Sequence, residues 1–548
     1  MKDLLRFITC GSVDDGKSTL IGHILYDSKL LYADQERALA LESKVGSRNG
    51  EIDYSLLLDG LTEEREQGIT IDVAYRYFTT DVRSFIVADT PGHEEYTRNM
   101  AVGASFADLA VILVDAAKGV LMQTRRHARI CSVMGIRYFV FAVNKMDLVN
   151  YDKVTFYKIE SEIEKLAQEL NLQNIKVIPV SATEGDNVAH VTDTMKWYTG
   201  ESLLSYLENI DVDDTSKEDG FYLPVQRVCR PDHTFRGFQG QVETGKIAIG
   251  DEISVLPGNE KAHVTGIYVG NREEKEAVAG QAVTIQLDRE IDISRGSVIY
   301  RNTEIKTADN ITATLLWMDD APLHNGDNYF VKIGTSLIPG IVSKILYTID
   351  VNTGKFRETD ILQKNEIAVC RISFTDRIVT AKFTAHKTLG ELILIDRIRF
   401  STSACGVVEK LGEGSGLVSG KVNTRTRETC LGQHGVSVLF KGFDGYTKPF
   451  VEEVEKKLIV EGRHTYILEE RKDGDADEIK KILYHLNAAG IIVLLLVHDA
   501  ENISVYSEND KSVIVYEKEE KSVSEAVSFV KKISSYDYAP SGEEFYTI

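Results

Sequence analysis

The chain has 548 residues, of which 43% are hydrophobic and 27% are charged, and its formal net charge is −21. At about 150 residues per domain, this length predicts three or four domains and excludes a single core. The apolar content argues against disorder. The acidic balance argues against a broad polyanion-binding surface, although it does not exclude a local basic groove.

The cysteines are scattered and include no C-x-x-C pair, which argues against a disulfide framework or a zinc ribbon. The first ten residues mix charged and apolar side chains and run into a glycine loop, so they do not resemble a signal peptide. The longest aliphatic run, 491–497, is far shorter than the roughly 18 residues that span a membrane. We therefore predict a soluble, cytoplasmic protein with reduced thiols and no membrane contact.

Short apolar runs alternate with helical patterns in residues 1–210, which predicts an α/β domain with a largely parallel sheet. The runs are 4–9, 85–88, 109–115, 139–143 and 177–180. Segments 72–80 and 83–89 are separated only by a short turn, which predicts that this pair is antiparallel.

A phosphate-binding loop follows the first run. Residues 11–18 read G-S-V-D-D-G-K-S, which matches G-x-x-x-x-G-K-[ST] between a strand and a helix that begins near Lys17. Glycines let backbone N–H groups and the helix N-terminus form an anion cradle. Lys17 is predicted to contact the β and γ phosphates, and Ser18 to bind Mg²⁺. The predicted nucleotide contacts are Gly11, Ser12, Val13, Asp14, Asp15, Gly16, Lys17, Ser18 and Thr19.

Two further motifs predict a switch that senses the third phosphate. In D-T-P-G-H, Asp89 can hold Mg²⁺ through water, and the Gly92 N–H can contact the γ-phosphate. In R-E-Q-G-I-T, Thr70 supplies a second hydroxyl for Mg²⁺. The Gly92 and Thr70 contacts depend on an intact triphosphate, so these motifs supply the parts of an order–disorder switch.

Asn144, Lys145 and Asp147 in N-K-M-D predict guanine selectivity. A carboxylate at Asp147 accepts hydrogen bonds from the ring N–H and exocyclic amine of guanine, which adenine does not present. Ser181 and Ala182, after the last run, are predicted to form a loop beside the base.

His93 stands where an imidazole can orient the attacking water. Whether it also acts as a base is left open by the sequence. With Lys17 and Thr70, it completes the predicted catalytic set.

Together these motifs resemble the elongation factor Tu superfamily of GTPases. Longer stretches are similar to the large GTPase subunit of bacterial sulfate adenylyltransferase through nearly all of residues 1–415, namely at 15–22, 25–29, 58–61, 71–78, 95–100, 123–127 and 197–200. The resemblance implies that Val13 and Ile69 form an apolar gate that keeps His93 from the water until an activator opens it.

The resemblance also implies the activity. A small catalytic subunit would bind ATP and sulfate and form adenosine 5′-phosphosulfate and pyrophosphate, while GTP hydrolysis with Mg²⁺ on this chain would drive that reaction. The chain contains neither H-x-G-H nor S-G-G-x-D-S with which to handle ATP itself. An elongation factor that binds aminoacyl-tRNA is the alternative, disfavoured by the acidic charge, and a GTP-dependent assembly or sensor protein is a third. We predict no nucleic-acid partner.

After a charge-rich linker at 211–220, short strands and glycine turns predict two β-barrels, at 218–305 and 306–415. Neither shows catalytic residues. Partner binding, transmission of the switch and a purely structural role all stay open for them.

Residues 434–540 predict a small C-terminal α/β domain that resembles adenylylsulfate kinase in degenerate form. Thr447 replaces the glycine before Lys448, and Pro449 replaces the hydroxyl that binds magnesium. Residues 469–474 read E-E-R-K-D-G in place of D-G-D-N-x-R. We predict that this domain lacks kinase activity, that Lys448 is a solvated charge, and that 534–548 form a loose tail. Packing, subunit assembly and ligand sensing are open roles.

Overall fold

The structure is a computed structural model. It describes residues 2–27, 72–212, 220–232, 235–350, 353–412, 423–441, 447–470, 475–497, 506, 513–516 and 522–535. Thr70 and Ile69 lie outside the described residues, as do 442–446, 471–474 and most of the predicted tail. Within the described part of the chain, no helix is both long and apolar enough to cross a membrane.

The N-terminal part is a six-stranded sheet with helices on both faces. Its strands are β1 (Lys2–Cys10), β2 (Ala74–Thr79), β3 (Arg83–Asp89), β4 (Leu109–Asp115), β5 (Tyr138–Asn144) and β6 (Ile175–Pro179). The strand order is β2-β3-β1-β4-β5-β6, and only β2 and β3 pair antiparallel, as the short turn between them predicted. The described helices are α1 (Lys17–Asp27), α2 (Thr97–Phe106), α3 (Met122–Val133), α4 (Lys153–Leu170) and α5 (Leu203–Asn209).

Local sequence explains why α4 forms where it does. The Asp152 carboxylate accepts a hydrogen bond from the Thr155 N–H and caps the helix. Buried side chains then recur at helical spacing, at Phe156, Ile159 and Ile163. The helix therefore buries one face against the sheet and leaves the other in water.

The next part is an antiparallel sheet that curls back on itself. The strand order is β7-β16-β11-β12-β15-β9-β8. The two strands at the ends of this order, β7 and β8, are separated by only two residues in the chain. The strands are β7 (Phe221–Pro224), β8 (Arg227–Cys229), β9 (Gly237–Gln241), β10 (Lys246–Ala248), β11 (Glu252–Leu256), β12 (Glu260–Val269), β13 (Arg272–Glu274), β14 (Glu276–Val278), β15 (Ala282–Leu287) and β16 (Val298–Arg301). This curled sheet is the first barrel.

The second barrel is closed by six strands in the order β19-β24-β25-β17-β23-β20, because β19 also pairs with β20. Closure leaves no free edge among these six strands. The strands of this part are β17 (Lys306–Trp317), β18 (Leu323–His324), β19 (Asn328–Ile333), β20 (Ser336–Ile349), β21 (Phe356–Arg357), β22 (Ile361–Leu362), β23 (Ile367–Thr380), β24 (Glu391–Asp396) and β25 (Thr402–Leu411), and the short helix α6 (Lys387–Gly390) precedes β24.

The N-terminal α/β part packs on the second barrel. Leu316, Met318 and Ile367 of the barrel belong to the same hydrophobic cluster as the α3 and α4 face of the sheet. At α2, Arg98 donates a hydrogen bond to the Thr402 carbonyl oxygen at 2.7 Å, and Lys387 donates to the Ser105 carbonyl oxygen at 2.9 Å. The α/β part and this barrel are therefore joined by apolar packing and by polar contacts at α2.

The C-terminal part is a four-stranded parallel sheet in the order β27-β28-β26-β29. Its strands are β26 (Ser437–Lys441), β27 (Thr465–Glu469), β28 (Ile492–Val497) and β29 (Val513–Val515), and its helices are α8 (Thr447–Val460), α9 (Ala476–Ala488) and α10 (Val523–Ile533). Helix α7 (Thr424–Leu431) connects it to the second barrel. There the Arg425 Nε donates to Asp327 Oδ1 at 2.7 Å, and the Asp327 side chain is almost wholly buried.

Lys448, predicted to be a solvated charge, lies at the surface and also has an ion-pair partner. Its ammonium group lies 2.6 Å from Glu469 Oε1, and both side chains are a little under half exposed. The pairing arises because β26 and β27 are parallel strands of one sheet, so the residues that follow β26 and those that end β27 meet at the same edge.

Candidate nucleotide-binding site

The predicted motifs meet at one edge of the N-terminal sheet. Residues 11–18 follow β1, 89–93 end and follow β3, 144–147 end and follow β5, and 181–182 follow β6. These strands are mutually parallel, so their carboxyl ends lie at the same edge, where open α/β sheets bind ligands. The predicted site residues that the structure describes therefore come together from four separate stretches of chain.

The phosphate loop has a backbone that glycine makes possible. Gly16 has φ +89° and Asp14 has φ +67°, both in a region that side chains disfavour. The loop is also tied internally, since the Ser12 N–H donates to Asp15 Oδ2 at 2.6 Å. A Cβ on Gly92 would lie 2.6 Å from the Gly11 carbonyl oxygen and 2.7 Å from Lys17 Nζ. The D-T-P-G-H segment therefore lies directly against the loop and leaves no room for a side chain at residue 92.

Lys17 lies in the middle of this loop and is 7% exposed. Its ammonium group donates to the carbonyl oxygens of Gly11 at 3.1 Å and Ser12 at 2.9 Å. Burial lowers the pKa of Lys17, and the carboxylates of Asp89 and Asp15 oppose that shift. A buried cation held by backbone carbonyls is suited to receive an anionic ligand, which would supply the opposite charge that burial requires.

The predicted Mg²⁺ ligands stand side by side. Ser18 Oγ donates to Asp89 Oδ2 at 2.8 Å, and Thr9 Oγ1 donates to Asp89 Oδ1 at 2.9 Å. Burial raises the pKa of Asp89, and the charge of Lys17 opposes the shift. A hydroxyl and a carboxylate in hydrogen-bond contact are hard oxygen donors of the kind Mg²⁺ prefers, so the described residues fit the ion. The third predicted ligand, Thr70, lies outside the described residues.

His93 lies at the surface beside the loop. Its Nδ1 accepts a hydrogen bond from the Glu95 N–H at 3.2 Å, and its ring centroid lies 6.1 Å from that of Tyr96. Among the described residues, no hydrogen bond joins His93 to the phosphate loop. The His93 ring is therefore turned to its own following turn and not to the phosphate loop.

The base-recognition residues are linked to the phosphate loop through Asn144. Its Nδ2 donates to the Asp15 carbonyl oxygen at 2.7 Å, and its Oδ1 accepts from the Ala182 N–H at 2.8 Å. Ser181 Oγ donates to Asp147 Oδ1 at 2.7 Å, which orients the carboxylate predicted to read guanine. Asn144, Asp147, Ser181 and Ala182 therefore form one hydrogen-bonded group.

Two residues of the nucleotide-binding site, Thr9 and Asp115, were not predicted from the sequence. Thr9 orients Asp89, as described above, and the Asp115 carboxylate lies 3.0 Å from the ammonium group of Lys145. A signal was available for Asp115, because it ends β4, the strand between β1, which leads into the phosphate loop, and β5, which leads into the N-K-M-D turn. Thr9 carries no comparable signal, since threonine is common within strands.

Two family models match regions of this chain. Residues 2–204 match the family model of the elongation factor Tu GTP binding domain, and residues 310–409 match the GTP-eEF1A C-terminal domain-like model. The N-terminal part is thus a GTP-binding domain of the elongation factor Tu class.

Curated relatives define the family further. The chain is 47% identical over 481 residues to the bifunctional enzyme CysN/CysC of Xylella fastidiosa, which covers 87% of this chain and 77% of that protein. It is 47% identical over 411 residues to sulfate adenylyltransferase subunit 1 of Francisella tularensis subsp. novicida, covering 75% and 87%. The chain belongs to the sulfate adenylyltransferase subunit 1 family. A solved structure of Sup35 complexed with GDP is 22% identical over 75% of this chain and 95% of its own, with a TM-score of 0.35.

Proposed function

We propose that the chain is the regulatory GTPase subunit of a sulfate adenylyltransferase. In this proposal, GTP hydrolysis on the N-terminal domain drives the formation of adenosine 5′-phosphosulfate and pyrophosphate from ATP and sulfate on a small catalytic subunit. The observation that carries the proposal is the convergence of the four motifs on one sheet edge in a chain of this family. The six cysteines are all free thiols, which fits a cytoplasmic location.

In this proposal the phosphates, the base and Mg²⁺ are each bound by a separate set of residues. Lys17 and the backbone of residues 11–16 bind the phosphates, while Asn144, Asp147 and Ser181 bind and select the base. Ser18 and Asp89, with Thr70, would hold Mg²⁺, which when bound offsets the charge of the phosphate oxygens. His93 would rotate from its contact with the Glu95 N–H towards the phosphate loop and there orient the attacking water.

The route to the partner runs through α2. This helix begins at Thr97, four residues after His93, and both of its ends bond to the second barrel through Arg98 and Ser105. A rearrangement of residues 89–93 on loss of the γ-phosphate would therefore change a contact between domains. Coupling requires that the GTP and GDP states bind the partner with different affinity, and this contact is where that difference would arise.

The test is pyrophosphate release from ATP and sulfate, with and without GTP, using the chain alone and then with its small subunit. We expect release only with both proteins, and an increase when GTP is present. His93→Ala should remove the stimulated GTP hydrolysis and leave GTP binding unchanged. Pyrophosphate release by the chain alone would refute the division of labour. Tight binding of aminoacyl-tRNA by the GTP form would instead favour the elongation factor alternative.

For the C-terminal part we propose a degenerate adenylylsulfate kinase domain without activity. The match to the CysN/CysC protein spans 481 residues, more than residues 1–415 contain, so it includes part of this domain. Lys448 pairs with Glu469, and Pro449 offers no hydroxyl for a metal. Incubation of the purified chain with ATP and adenylylsulfate should yield no phosphorylated product. Measurable product would overturn this assignment.

A further inference from the structure

The Asp115 side chain contacts the base-recognition turn, residues 144–147, through Lys145. Its side chain is 4% exposed, and Oδ2 lies 3.0 Å from Lys145 Nζ. Its other oxygen, Oδ1, accepts a hydrogen bond from the Ala117 N–H at 2.9 Å. Lys118 Nζ is farther away, at 3.7 Å, and its side chain is half exposed. The close, oriented contact of Asp115 is thus with Lys145.

Lys145 occupies a backbone conformation that a lysine does not adopt readily. Its φ of +62° and ψ of +38° lie in the left-handed region, where a Cβ atom crowds the backbone. Such residues persist when surrounding contacts hold them. Lys145 stands between Asn144 and Asp147, so its conformation sets the directions of both of those side chains.

The ion pair provides such a contact. Asp115 and Asn144 are paired across the parallel strands β4 and β5, and the Ala116 N–H donates to the Asn144 carbonyl oxygen at 2.8 Å. The end of β4 is therefore fixed relative to the end of β5. Burial opposes ionisation of Asp115, but the hydrogen bond from Lys145 and that from Ala117 hold the pKa of its carboxyl group below its usual value. The carboxylate is charged and ready to hold the ammonium group.

We propose that Asp115 is a positioning residue for guanine-nucleotide binding, which holds Lys145 in its left-handed conformation so that Asn144 and Asp147 face the nucleotide. The inference rests on the proposed function of the site as a GTP site. In this proposal Asp115 acts on the nucleotide indirectly, through the Lys145 ammonium group that it contacts. Its loss should therefore weaken binding of GDP and GTP alike and leave the rate of hydrolysis at saturating GTP nearly unchanged.

The test is a double-mutant cycle on GDP affinity, measured with a fluorescent GDP analogue on the full chain. Asp115→Asn keeps the shape of the side chain and removes its charge, and we expect it to weaken GDP binding about tenfold, with kcat for GTP within twofold of the wild type. Lys145→Gly permits the same backbone conformation without strain. In that background, Asp115→Asn should change the affinity by less than about twofold, because there is no ammonium group left to hold.

The controls separate a failed inference from a failed function. Lys118→Ala removes the more distant cation and should leave GDP affinity within about twofold of the wild type. An equal loss from Asp115→Asn in both backgrounds, or no loss in the wild-type background, would overturn the role of Asp115. Asn144→Ala serves as a reference for the site. If it also leaves GDP binding unchanged, the proposed GTP site is wrong, whatever the cycle shows.

Discussion

Asn144 and Asp15 are joined by a 2.7 Å hydrogen bond that crosses from the end of β5 to the phosphate loop. The Asn144 side chain is almost fully buried, and its other end accepts from the Ala182 N–H. One amide therefore connects the part of the site that holds phosphates with the part that reads the base. Binding of either end of a nucleotide should be sensitive to this residue.

Asn144→Ala is expected to weaken GDP and GTP binding at least tenfold. The substitution leaves the Asp15 carbonyl and the Ala182 N–H buried without their partner, which costs about 1–3 kcal/mol for each group. Equilibrium binding of a fluorescent GDP analogue measures the loss. Asn209→Ala, at an exposed asparagine that ends α5, is the matched control and should bind GDP normally. Equal affinities for the two variants would contradict the bridging role.

Gly92→Ala should abolish nucleotide binding by crowding the phosphate loop. The new Cβ would lie 2.6 Å from the Gly11 carbonyl oxygen, a separation that real Cβ atoms do not tolerate, so the loop or residues 89–93 must shift. Gly258→Ala is the control, since its Cβ would lie 3.5 Å from the Glu260 carboxylate in ordinary contact. Isothermal titration calorimetry measures the GDP affinity of the two variants. A Gly92→Ala protein that binds GDP like the wild type would show that the close approach is not rigid.

Ser18→Ala should remove most of the magnesium dependence of GTP binding. In the wild type we expect EDTA to weaken GTP binding strongly, because Ser18 and Asp89 present two adjacent oxygen ligands to the ion. Without the hydroxyl, the affinities with and without Mg²⁺ should converge. Titration of GTP affinity against free Mg²⁺ measures this. A variant that keeps the wild-type magnesium curve would place the ion elsewhere.

His127→Gln should change how stability depends on pH. Burial lowers the pKa of His127 to about 3, and the charges of Lys17 and Arg126 act in the same direction. In the unfolded chain the histidine pKa is near 6.5, so below that pH the unfolded state binds a proton that the folded state does not bind. The free energy of unfolding therefore decreases as pH falls from about 6.5 towards 3. The glutamine variant lacks this loss.

Urea denaturation at pH 7.5 and pH 5 would measure the difference between the variant and the wild type. At about 1.4 kcal/mol per pH unit, the variant should gain roughly 2 kcal/mol relative to the wild type between these conditions. Comparison at each pH cancels the titration of other groups common to both proteins. A difference that is the same at both pH values would show that His127 is protonated equally in both states.

Much of the fold could be predicted from the sequence because its signals are local. Residues 109–114 and 139–143 are apolar throughout, as strands buried on both faces require, and they form most of β4 and β5. The antiparallel pairing of β2 and β3 could be predicted from the short turn between them. The strand order that closes the second barrel could not be predicted in this way, because the pairings of β19 with β24 and of β17 with β25 join residues far apart in the chain.

The sequence by itself determined the chemistry of the site, because a glycine loop, a lysine and an N-K-M-D turn each need only a few neighbouring residues to specify their geometry. Only the tertiary structure decided how these pieces depend on one another. The contact of Asp115 with Lys145, the approach of Gly92 to Gly11 and the pairing of Lys448 with Glu469 all join segments that the chain separates. Their distances follow from strand order and packing, which no local pattern encodes.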